Sequence, residues 1–189
     1  MDVQTIIDEL EGVAPDGAVQ AFAAADGMPT IYVAREHVVR VCEALRDRPA
    51  LQFAFAADMT AVDYLPREPR FEVIVLLASL GVPGFGDAPK RLRVKVRVPG
   101  TDPRMPTLSG VWLAMNWAER EVYDLFGIHF DGHPDLRRIL MPDDWEGHPA
   151  RKDYPVQISM KPKMYEPLQL TAQEFAANLA ADREKARQG

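Results

Sequence analysis

Histidines and aspartates concentrate in one short stretch of this 189-residue chain. Divalent metal ions favour mixed imidazole and carboxylate ligands, and His129-x-x-x-His133 would suit zinc if both side chains left one helical face. Gly127, Gly132 and Pro134, however, break helical geometry along this stretch. Two hypotheses follow: a loop that gathers metal ligands or, as we favour, a turn-rich loop whose polar side chains bond its own backbone. The residues concerned are His129, Asp131, His133, Asp135, Asp143, Asp144 and His148.

The pair Glu119 and Glu121 is a second candidate, since two carboxyl groups can act as acid and base in a hydrolase. The segment that ends at Gly127 has the periodicity of an amphipathic helix, and its wheel places these carboxylates about 160° apart, on opposite borders of the apolar arc. That separation argues against a hydrolase. We expect both carboxylates to be half-buried and held by arginine or backbone donors. The arc comprises Met115, Ala118, Val122, Leu125 and Phe126, with Arg120 and Asp124 opposite, and the local arginine candidates are Arg120, Arg137 and Arg138.

Other familiar catalytic arrangements are absent from the sequence. Cys42 is the only cysteine, whereas iron–sulfur clusters are usually held by about four, so this chain cannot hold a conventional cluster alone. Its place in a helical pattern favours inert packing. No G-x-x-x-x-G-K-[ST], G-x-G-x-x-G or G-x-S-x-G motif occurs, and we interpret Gly81, Gly84 and Gly86 as a flexible strand connection.

A strand predicted at Arg91–Val98 alternates strictly between apolar and cationic residues. Cations at this spacing, about 7 Å, could follow phosphates, but a net charge of -6, a pI near 5.2 and the lack of interleaved aromatic residues argue against nucleic acid. Two interpretations stay open. One is a solvated face that prevents edge aggregation and pairs with Glu72, and the other is a docking face for an acidic partner.

The overall composition predicts one core with extensions. With 47% hydrophobic residues and a mean hydropathy of -0.20, the chain can build one soluble domain but hardly two. The longest strongly apolar run, 73–80, is much shorter than the roughly 20 residues of a membrane-spanning helix. No signal peptide is visible at the N-terminus, so the expected compartment is the cytoplasm.

The hydrophobic periodicity predicts a strand-rich middle flanked by helices, and hence an α+β fold with a mostly antiparallel sheet. A first helix follows Asp2 as a possible N-cap, and Thr171-x-x-Glu174 is a capping box that opens a last helix through about Arg183. Further helices are predicted at about 36–47 and before Gly127. The predicted strands lie at 18–24, 30–34, 52–63, 70–80 and 91–98.

Residues 141–170 combine five prolines with scattered apolar side chains. Proline interrupts both helices and strand ladders, and so long an irregular stretch is unusual in a compact domain. We therefore expect a domain at 1–140 and an extended C-terminal arm at 141–189 that lays its side chains on another protein and ends in a helix.

The same region carries a run of motifs with a family likeness. They are Asn116-Trp117, Glu119-Arg120-Glu121, Tyr123-Asp124, Phe126-Gly127-Ile128, Gly132-His133-Pro134-Asp135-Leu136-Arg137-Arg138-Ile139-Leu140, Gly147-His148-Pro149 and Arg151-Lys152-Asp153-Tyr154-Pro155. Together they resemble the signature of the NuoC, or 30-kDa, subunit family of proton-pumping NADH:quinone oxidoreductase (respiratory complex I). Weaker agreement extends upstream through Asp58 to Leu80 and covers most of the chain.

The resemblance implies a structural subunit without an active site, cofactor or metal of its own. FMN, iron–sulfur clusters and quinone would reside in partner subunits. Those partners would be the 49-kDa-like D-subunit and the cluster-carrying B-, I- and G-subunits, on the cytoplasmic side of the cell membrane. The chain would join the membrane only through the complex, and its C-terminal arm would wrap neighbouring subunits. The implied signature and interface residues are Glu119, Arg120, Glu121, Tyr123, Asp124, Gly127, His133, Pro134, Arg137, Arg138, His148, Arg151, Lys152, Asp153 and Tyr154.

Two alternatives accompany this interpretation. The equivalent subunit of a membrane-bound hydrogenase, a formate hydrogenlyase or a similar quinone-linked dehydrogenase also resembles this chain. The electron donor is recognised by other subunits, so the sequence of this chain is compatible with each of these enzymes. The second alternative is a stand-alone metal-dependent enzyme that uses His129, His133 and His148.

Overall fold

A computed structural model describes residues 2–81, 88–155 and 171–179 of the chain. The chain divides into two compact units, Met1–Pro155 and Val156–Gly189. About half of the predicted arm, and the part of the predicted glycine-rich strand connection after Gly81, fall outside the described residues. Among the described residues, no helix combines the length and apolar character needed to cross a membrane.

A five-stranded sheet forms the centre of the first unit. Its strands are β1 (Val19–Phe22), β2 (Thr30–Val33), β3 (Phe55–Asp63), β4 (Phe71–Ser79) and β5 (Lys90–Val98), in the spatial order β1-β2-β5-β4-β3. All neighbours run antiparallel except β2 and β5, which are parallel. The predicted α+β class with a mostly antiparallel sheet is confirmed.

The position of β5 corrects one sequence interpretation. This strand lies in the middle of the sheet, so its cations cannot serve to protect an edge. The pairing predicted for Glu72 does occur, because Lys95 Nζ lies 2.7 Å from Glu72 Oε1. The alternation places Leu92, Val94, Val96 and Val98 in the core and sends the cations to the opposite face.

Among the described residues of the first unit, three α-helices accompany the sheet: α1 (Val3–Glu9), α2 (Val38–Asp47) and α3 (Met115–Phe126). Asp2 caps α1 as predicted, since its carboxylate accepts a hydrogen bond from the backbone N–H of Thr5. A short 3-10 turn at Arg35–His37 precedes α2. Helix α2 buries Val38, Val41, Cys42 and Leu45, and these side chains join those of α1, α3 and the sheet in a single apolar core.

The structure contains a second sheet, of two strands, that the sequence did not predict. Strands β6 (Arg104–Pro106) and β7 (His129–Asp131) pair in parallel, on either side of α3 in the chain. Each has only three residues, which is too short for alternation to be recognised. This small sheet fixes both ends of the segment that contains α3.

In the second unit, residues 172–179 form helix α4. The predicted capping box is confirmed: Thr171 Oγ1 accepts the backbone N–H of Glu174, and the Glu174 carboxylate accepts the backbone N–H of Thr171. The described residues 171–179 are exposed. The predicted continuation to Arg183 lies outside the described residues.

Candidate functional site

The signature residues meet where the chain leaves α3 and folds back over it. Gly127 ends α3 in the left-handed conformation, with φ of 69°, as the sequence predicts for a C-terminal glycine. Residues 128–154, here called the signature loop, then return along the helix. Their contacts with α3 and with the main sheet determine the shape of this region.

Asp124 is the central anchor of the signature loop. Its carboxylate is fully buried, and Oδ2 accepts the backbone N–H groups of Ile139, Leu140 and Met141 at 2.7–2.9 Å. Oδ1 accepts Arg138 Nη1 at 2.7 Å. Burial alone would raise the pKa of Asp124, but these hydrogen bonds outweigh it and hold the pKa below its usual range. The carboxylate is therefore charged, its hydrogen-bonding capacity is satisfied, and it holds the signature loop against α3.

Arg138 extends this anchor to the far part of the loop. Besides Asp124, its guanidinium donates to the carbonyl oxygens of Trp145 at 2.9 Å and Gly147 at 3.0 Å. Arg120 supports the same turn from the helix, donating to the carbonyls of Arg137 and Arg138, each at 3.1 Å. The predicted partnership of Arg120 and Arg138 with Glu119 and Glu121 is therefore wrong, since these arginines bind loop carbonyls and Asp124.

Residues 148–151 satisfy the free carbonyls at the end of α3. His148 Nδ1 lies 2.9 Å from Asp124 O, Ala150 N donates to Leu125 O at 3.0 Å, and Arg151 donates to the carbonyls of Phe126 and Gly127. A Cβ atom on Gly127 would lie 2.4 Å from His148 Cδ2 and 2.6 Å from Arg151 Nη2. Helix capping by a distant segment thus requires glycine for space as well as for φ.

The end of the signature loop is tied to the main sheet through Arg70. This guanidinium pairs with Asp63 Oδ2 and with Asp153 Oδ1, each at 2.7 Å, and Asp63 Oδ2 also accepts the backbone N–H of Lys152 at 2.9 Å. Asp63 is nearly buried, and the side-chain hydrogen bonds from Arg70 hold its pKa far below the usual range. Contacts across more than 80 residues of sequence therefore fix the loop.

Tyr154 closes the loop on itself. Its hydroxyl donates to Glu146 O at 3.2 Å, and its ring lies against Gly147, where an added Cβ would meet Cε2 at 2.9 Å. Lys152 contributes its backbone N–H to Asp63, while its side chain is exposed. The Arg-Lys-Asp-Tyr motif therefore provides three separate side-chain ties, through Arg151, Asp153 and Tyr154.

Glu119 and His133 form a second buried polar cluster under the loop. Both side chains are fully buried, with Glu119 Oε2 3.9 Å from His133 Nε2. The carboxylate accepts the backbone N–H of Leu108 and the hydroxyl of Thr107, each at 2.5 Å. Burial raises the pKa of Glu119 to about 7 despite these bonds. His133 Nδ1 accepts the backbone N–H of Asp135, so Nε2 carries the proton and donates to Asn116 O at 3.0 Å.

The two glutamates of the predicted pair differ from expectation in opposite ways. Glu119 is completely buried rather than half-buried, and Glu121 is exposed. Asp124, on the polar side of the wheel, is buried because the signature loop covers that side. The wheel describes contact with the core but cannot show a loop that returns from about 15 residues downstream.

The histidines do not converge on one point. His129 pairs with Asp131 at 3.2 Å, His133 binds backbone groups, and His148 caps α3. Within the described ranges, no three His, Cys, Asp or Glu side chains are arranged to hold a metal ion. The ring of Tyr123 stands edge-on to both His129 and His148, so these residues serve packing in the structure.

Some signature side chains stay exposed, and they define the outer surface of this region. Arg137 is 71% exposed, and within the part of the chain that the structure describes its side chain pairs only with Asp135. Pro134 is exposed beside it. Three large apolar side chains are also exposed, namely Leu113, Trp117 and Leu140.

Several anchoring residues were missed by sequence reasoning. Asp63, Arg70, Thr107 and Leu108 hold the loop or its buried cluster although they lie far from the signature. A partial signal existed, since a lone Asp at the end of an apolar strand needs a donor when it is buried. Its partner could not be named from the sequence alone.

Comparison with known proteins gives a consistent family. Residues 31–159 match the family described as respiratory-chain NADH dehydrogenase, 30 Kd subunit. The NADH-quinone oxidoreductase C-subunit of Roseiflexus sp. (strain RS-1) is 46% identical over 156 residues, covering 82% of this chain and 86% of that protein. The C-subunit of Geobacter sulfurreducens is 53% identical over 132 residues, covering 69% and 76%.

Solved structures agree with this likeness. The trypsin-resistant fragment (1-134) of Nqo5 superposes with a TM-score of 0.56 at 38% identity, covering 72% of this chain and all of that chain. The membrane-bound sulfane sulfur reductase, an archaeal respiratory membrane complex, gives a TM-score of 0.65 at 23% identity, covering 81% and 85%. The second likeness shows the fold alone.

Proposed function

The chain belongs to the family of the 30-kDa subunit of respiratory-chain NADH dehydrogenase, and on that premise we propose that it is a non-redox scaffold of the enzyme's peripheral arm. It is a subunit of NADH-quinone oxidoreductase, with other subunits of that complex as partners. The complex passes electrons from NADH through FMN and iron–sulfur centres to quinone, coupled to proton translocation. This chain contributes shape and contact surface to that process.

The scaffold role is supported by the hydrogen-bond partners of the charged signature side chains. Asp124, Arg138 and Arg151 direct their hydrogen bonds to backbone groups and to one another. What remains outward is a rigid surface with Trp117 and Arg137 exposed. Exposed aromatic and arginine side chains on a fixed backbone are typical of the anchors in protein interfaces.

The donor set supports a role without an iron–sulfur cluster of its own. Cys42 is the only cysteine and is buried in α2, where burial raises the pKa of its thiol well above the usual range. A protonated, buried thiol is a poor metal ligand. In this proposal, FMN, the iron–sulfur clusters and quinone reside in other subunits of the complex.

The proposed neighbours are the 49-kDa-like D-subunit and the cluster-carrying B-, I- and G-subunits. In this proposal the complex lies at the cytoplasmic side of the cell membrane, and the chain is held there peripherally through its partners. Residues 141–189 act as the arm that binds those neighbours. Within that range, residues 141–155 already contribute to the anchored surface described above.

The identity of the relatives favours this assignment over the hydrogenase and formate hydrogenlyase alternatives. Relatives that are 46% and 53% identical are named as the C-subunit of NADH-quinone oxidoreductase. The stand-alone metal-enzyme hypothesis loses its geometric basis, because the three histidines have separate backbone or local partners.

Co-purification tests the proposal. The tagged chain is isolated from native membranes in mild detergent, and the eluate is assayed for NADH-driven quinone reduction and for its protein composition. A large flavin- and cluster-bearing particle active with NADH is expected. A particle active instead with hydrogen or formate, or a single metal-bearing protein, would contradict the assignment.

Neighbouring arginines give a matched pair of variants for the same experiment. Arg137→Ala removes an exposed side chain, so the chain should keep its stability while the yield of complex and NADH:quinone turnover fall together. Arg138→Ala should instead destabilise the chain by about 3 kcal/mol, because it leaves buried Asp124 without its cation. Normal complex yield with abolished turnover in Arg137→Ala would argue for a chemical role and against a scaffold.

A further inference from the structure

A cleft of about 470 Å³ opens on the face of the main sheet that carries the β5 cations. It is lined by side chains of β1, β2, β4 and β5 and by the turn that follows β3. The signature loop and α3 are not among its lining elements. The cleft is therefore a second surface feature, separate from the signature region.

The floor of the cleft is fixed by Glu72. This carboxylate is 6% exposed, and it accepts the Tyr32 hydroxyl at 2.6 Å and Lys95 Nζ at 2.7 Å. The positive charge of Lys95 is thereby compensated by Glu72, and the Tyr32 ring is held in one orientation. Glu68, another acidic residue of the lining, is engaged by the backbone N–H of Gly100 at 2.9 Å.

Two arginines of the cleft lack a comparable partner. Arg97 stacks on the Tyr32 ring, with its guanidinium carbon 4.1 Å from the ring centroid, and Arg67 lies 5.0 Å from the centroid of Tyr64. Both are exposed, and among the described residues no carboxylate forms an ion pair with either. Stacking on an aromatic face orients a guanidinium and leaves its in-plane N–H groups free for a planar, bidentate acceptor.

We propose that this cleft docks the carboxylate side chain of an acidic segment from a neighbouring subunit, which Arg67 and Arg97 bind. The inference deepens the proposed function by giving the chemistry of one partner contact, and it rests on that function. A carboxylate offers two coplanar oxygens that match the guanidinium fork. The exposed Phe22 ring at the rim suits an apolar residue next to the acidic one.

The charge distribution favours a polypeptide over nucleic acid as the occupant. The chain carries a net charge of -6, so a long polyanion would be repelled by the rest of the surface. A single acidic segment meets only the local field of the cleft. The proposal thus gives a function to the cationic face of β5, on which Arg97 lies. The valines that alternate with the cations along this strand face the core.

The first test compares charge-removing variants in the assembled complex. The double variant Arg67→Gln/Arg97→Gln should release the chain from the detergent-solubilised complex about tenfold more readily, and at lower salt, than the wild type. Arg91→Gln is the matched control, because this exposed cation lies on the same strand and face but outside the cleft. It should behave as wild type, and all three chains should show the same thermal unfolding when purified.

The second test identifies the occupant. Arg67→Lys and Arg97→Lys place an amine in the cleft, and a carbodiimide joins an amine to an adjacent carboxylate as an amide, releasing its urea by-product. Mass spectrometry of the cross-linked complex should show an amide between the new lysine and an Asp or Glu of another subunit. Cross-links confined to this chain, together with normal salt resistance of the glutamine double variant, would overturn the inference.

The outcomes also separate this inference from the scaffold proposal. If the chain co-purifies with the NADH-active complex but the double variant and Arg91→Gln release alike, only the cleft inference fails. If the chain does not co-purify at all, both fail. If inorganic phosphate binds the cleft arginines and no inter-subunit cross-link forms, the cleft is a site for a small anion. That result would likewise overturn the inference.

Discussion

The pKa values of the two buried carboxylates of α3, Asp124 and Glu119, are shifted in opposite directions because the two groups have different hydrogen-bond donors. Asp124 receives three backbone N–H groups and a guanidinium, and its pKa is held below the usual range. Glu119 receives one N–H and one hydroxyl, and His133 Nε2, 3.9 Å away, is directed to the carbonyl oxygen of Asn116. Without a cation, burial dominates and the pKa of Glu119 rises to about 7.

Glu119→Gln should therefore change the pH dependence of stability. A carboxyl group whose folded-state pKa is raised contributes full stability below its unfolded value, 4.5, and loses that contribution as the pH rises to about 7. The wild type should thus lose about 3 kcal/mol of unfolding free energy between pH 4 and pH 8 relative to the variant, which remains neutral. Urea denaturation at several pH values measures the difference.

Glu121→Gln is the control for that experiment, since Glu121 lies two residues away on α3 and is exposed. Its pH profile should match the wild type. Parallel profiles for Glu119→Gln and the wild type would show that the pKa of Glu119 is the same in the folded and the unfolded chain, contrary to our argument.

At this scale the sequence predicted the identity of the important residues better than their partners. The need of α3 carboxylates for arginine or backbone donors was anticipated, but the assignment of arginines to Glu119 and Glu121 was wrong. Local periodicity cannot distinguish a polar face open to water from one covered by a returning loop. The Lys95–Glu72 pair could be predicted because facing strands of a sheet bring such residues together.

Helix α3 and its C-terminal cap form the element on which the signature region depends. The last turn of α3 is satisfied by His148, Ala150 and Arg151, which lie more than 20 residues downstream. The cap therefore joins the helix and the signature loop into one structural element, and Gly127 is the point where both constraints meet.

Gly127→Ala should cost more than a left-handed alanine ordinarily does. The φ of 69° alone costs about 1 kcal/mol, and the new Cβ would lie within 2.6 Å of His148 and Arg151, so we expect a loss of about 3 kcal/mol or more. Gly132→Ala is a close control, because φ is 83° but the nearest atom would be 3.5 Å away. Thermal unfolding of both variants tests this; equal losses would mean that the cap relaxes without cost.

The end of α3 was predictable from Gly127, whereas β6 and β7 were not. A glycine after an apolar periodic run is a strong local signal. The two short strands form because α3 returns the chain beside Arg104–Pro106, which is a consequence of tertiary structure.

At the scale of the whole molecule, Asp63 and Arg70 connect the main sheet to the end of the signature loop. Asp63 accepts hydrogen bonds from Leu65, Arg70 and Lys152 while nearly buried. Because Arg70 also pairs with Asp153, one small network determines the position of the loop relative to the sheet.

Asp63→Asn should therefore undock the end of the loop without unfolding the sheet. We expect faster amide hydrogen exchange in peptides that cover residues 146–155 and a loss of about 2–4 kcal/mol in unfolding free energy. Mass spectrometry at pH 7 measures the exchange. Asp58→Asn, an exposed change on the same strand, should leave the pattern unaltered, and uniform deprotection of β3 and β4 in Asp63→Asn would contradict a local tie.

The α+β class and the five main strands were predictable at this scale, since each strand carries its own apolar pattern. The parallel pairing of β2 with β5 was not, because the ladder joins residues about 60 positions apart and no local pattern encodes such a neighbour. The same reason explains why Arg70 and Asp153 could not be matched in advance.

The Arg70–Asp153 contact also has a consequence for the order of folding. Strands β3, β4 and β5 are consecutive antiparallel neighbours and can pair by closing short loops, whereas Arg70 must wait for a residue 83 positions later. During synthesis from the N-terminus, the sheet is therefore complete before the signature loop can dock. The signature surface thus forms last, after the sheet and its cleft, so a partly synthesised chain lacks one of the two surfaces proposed to bind other subunits.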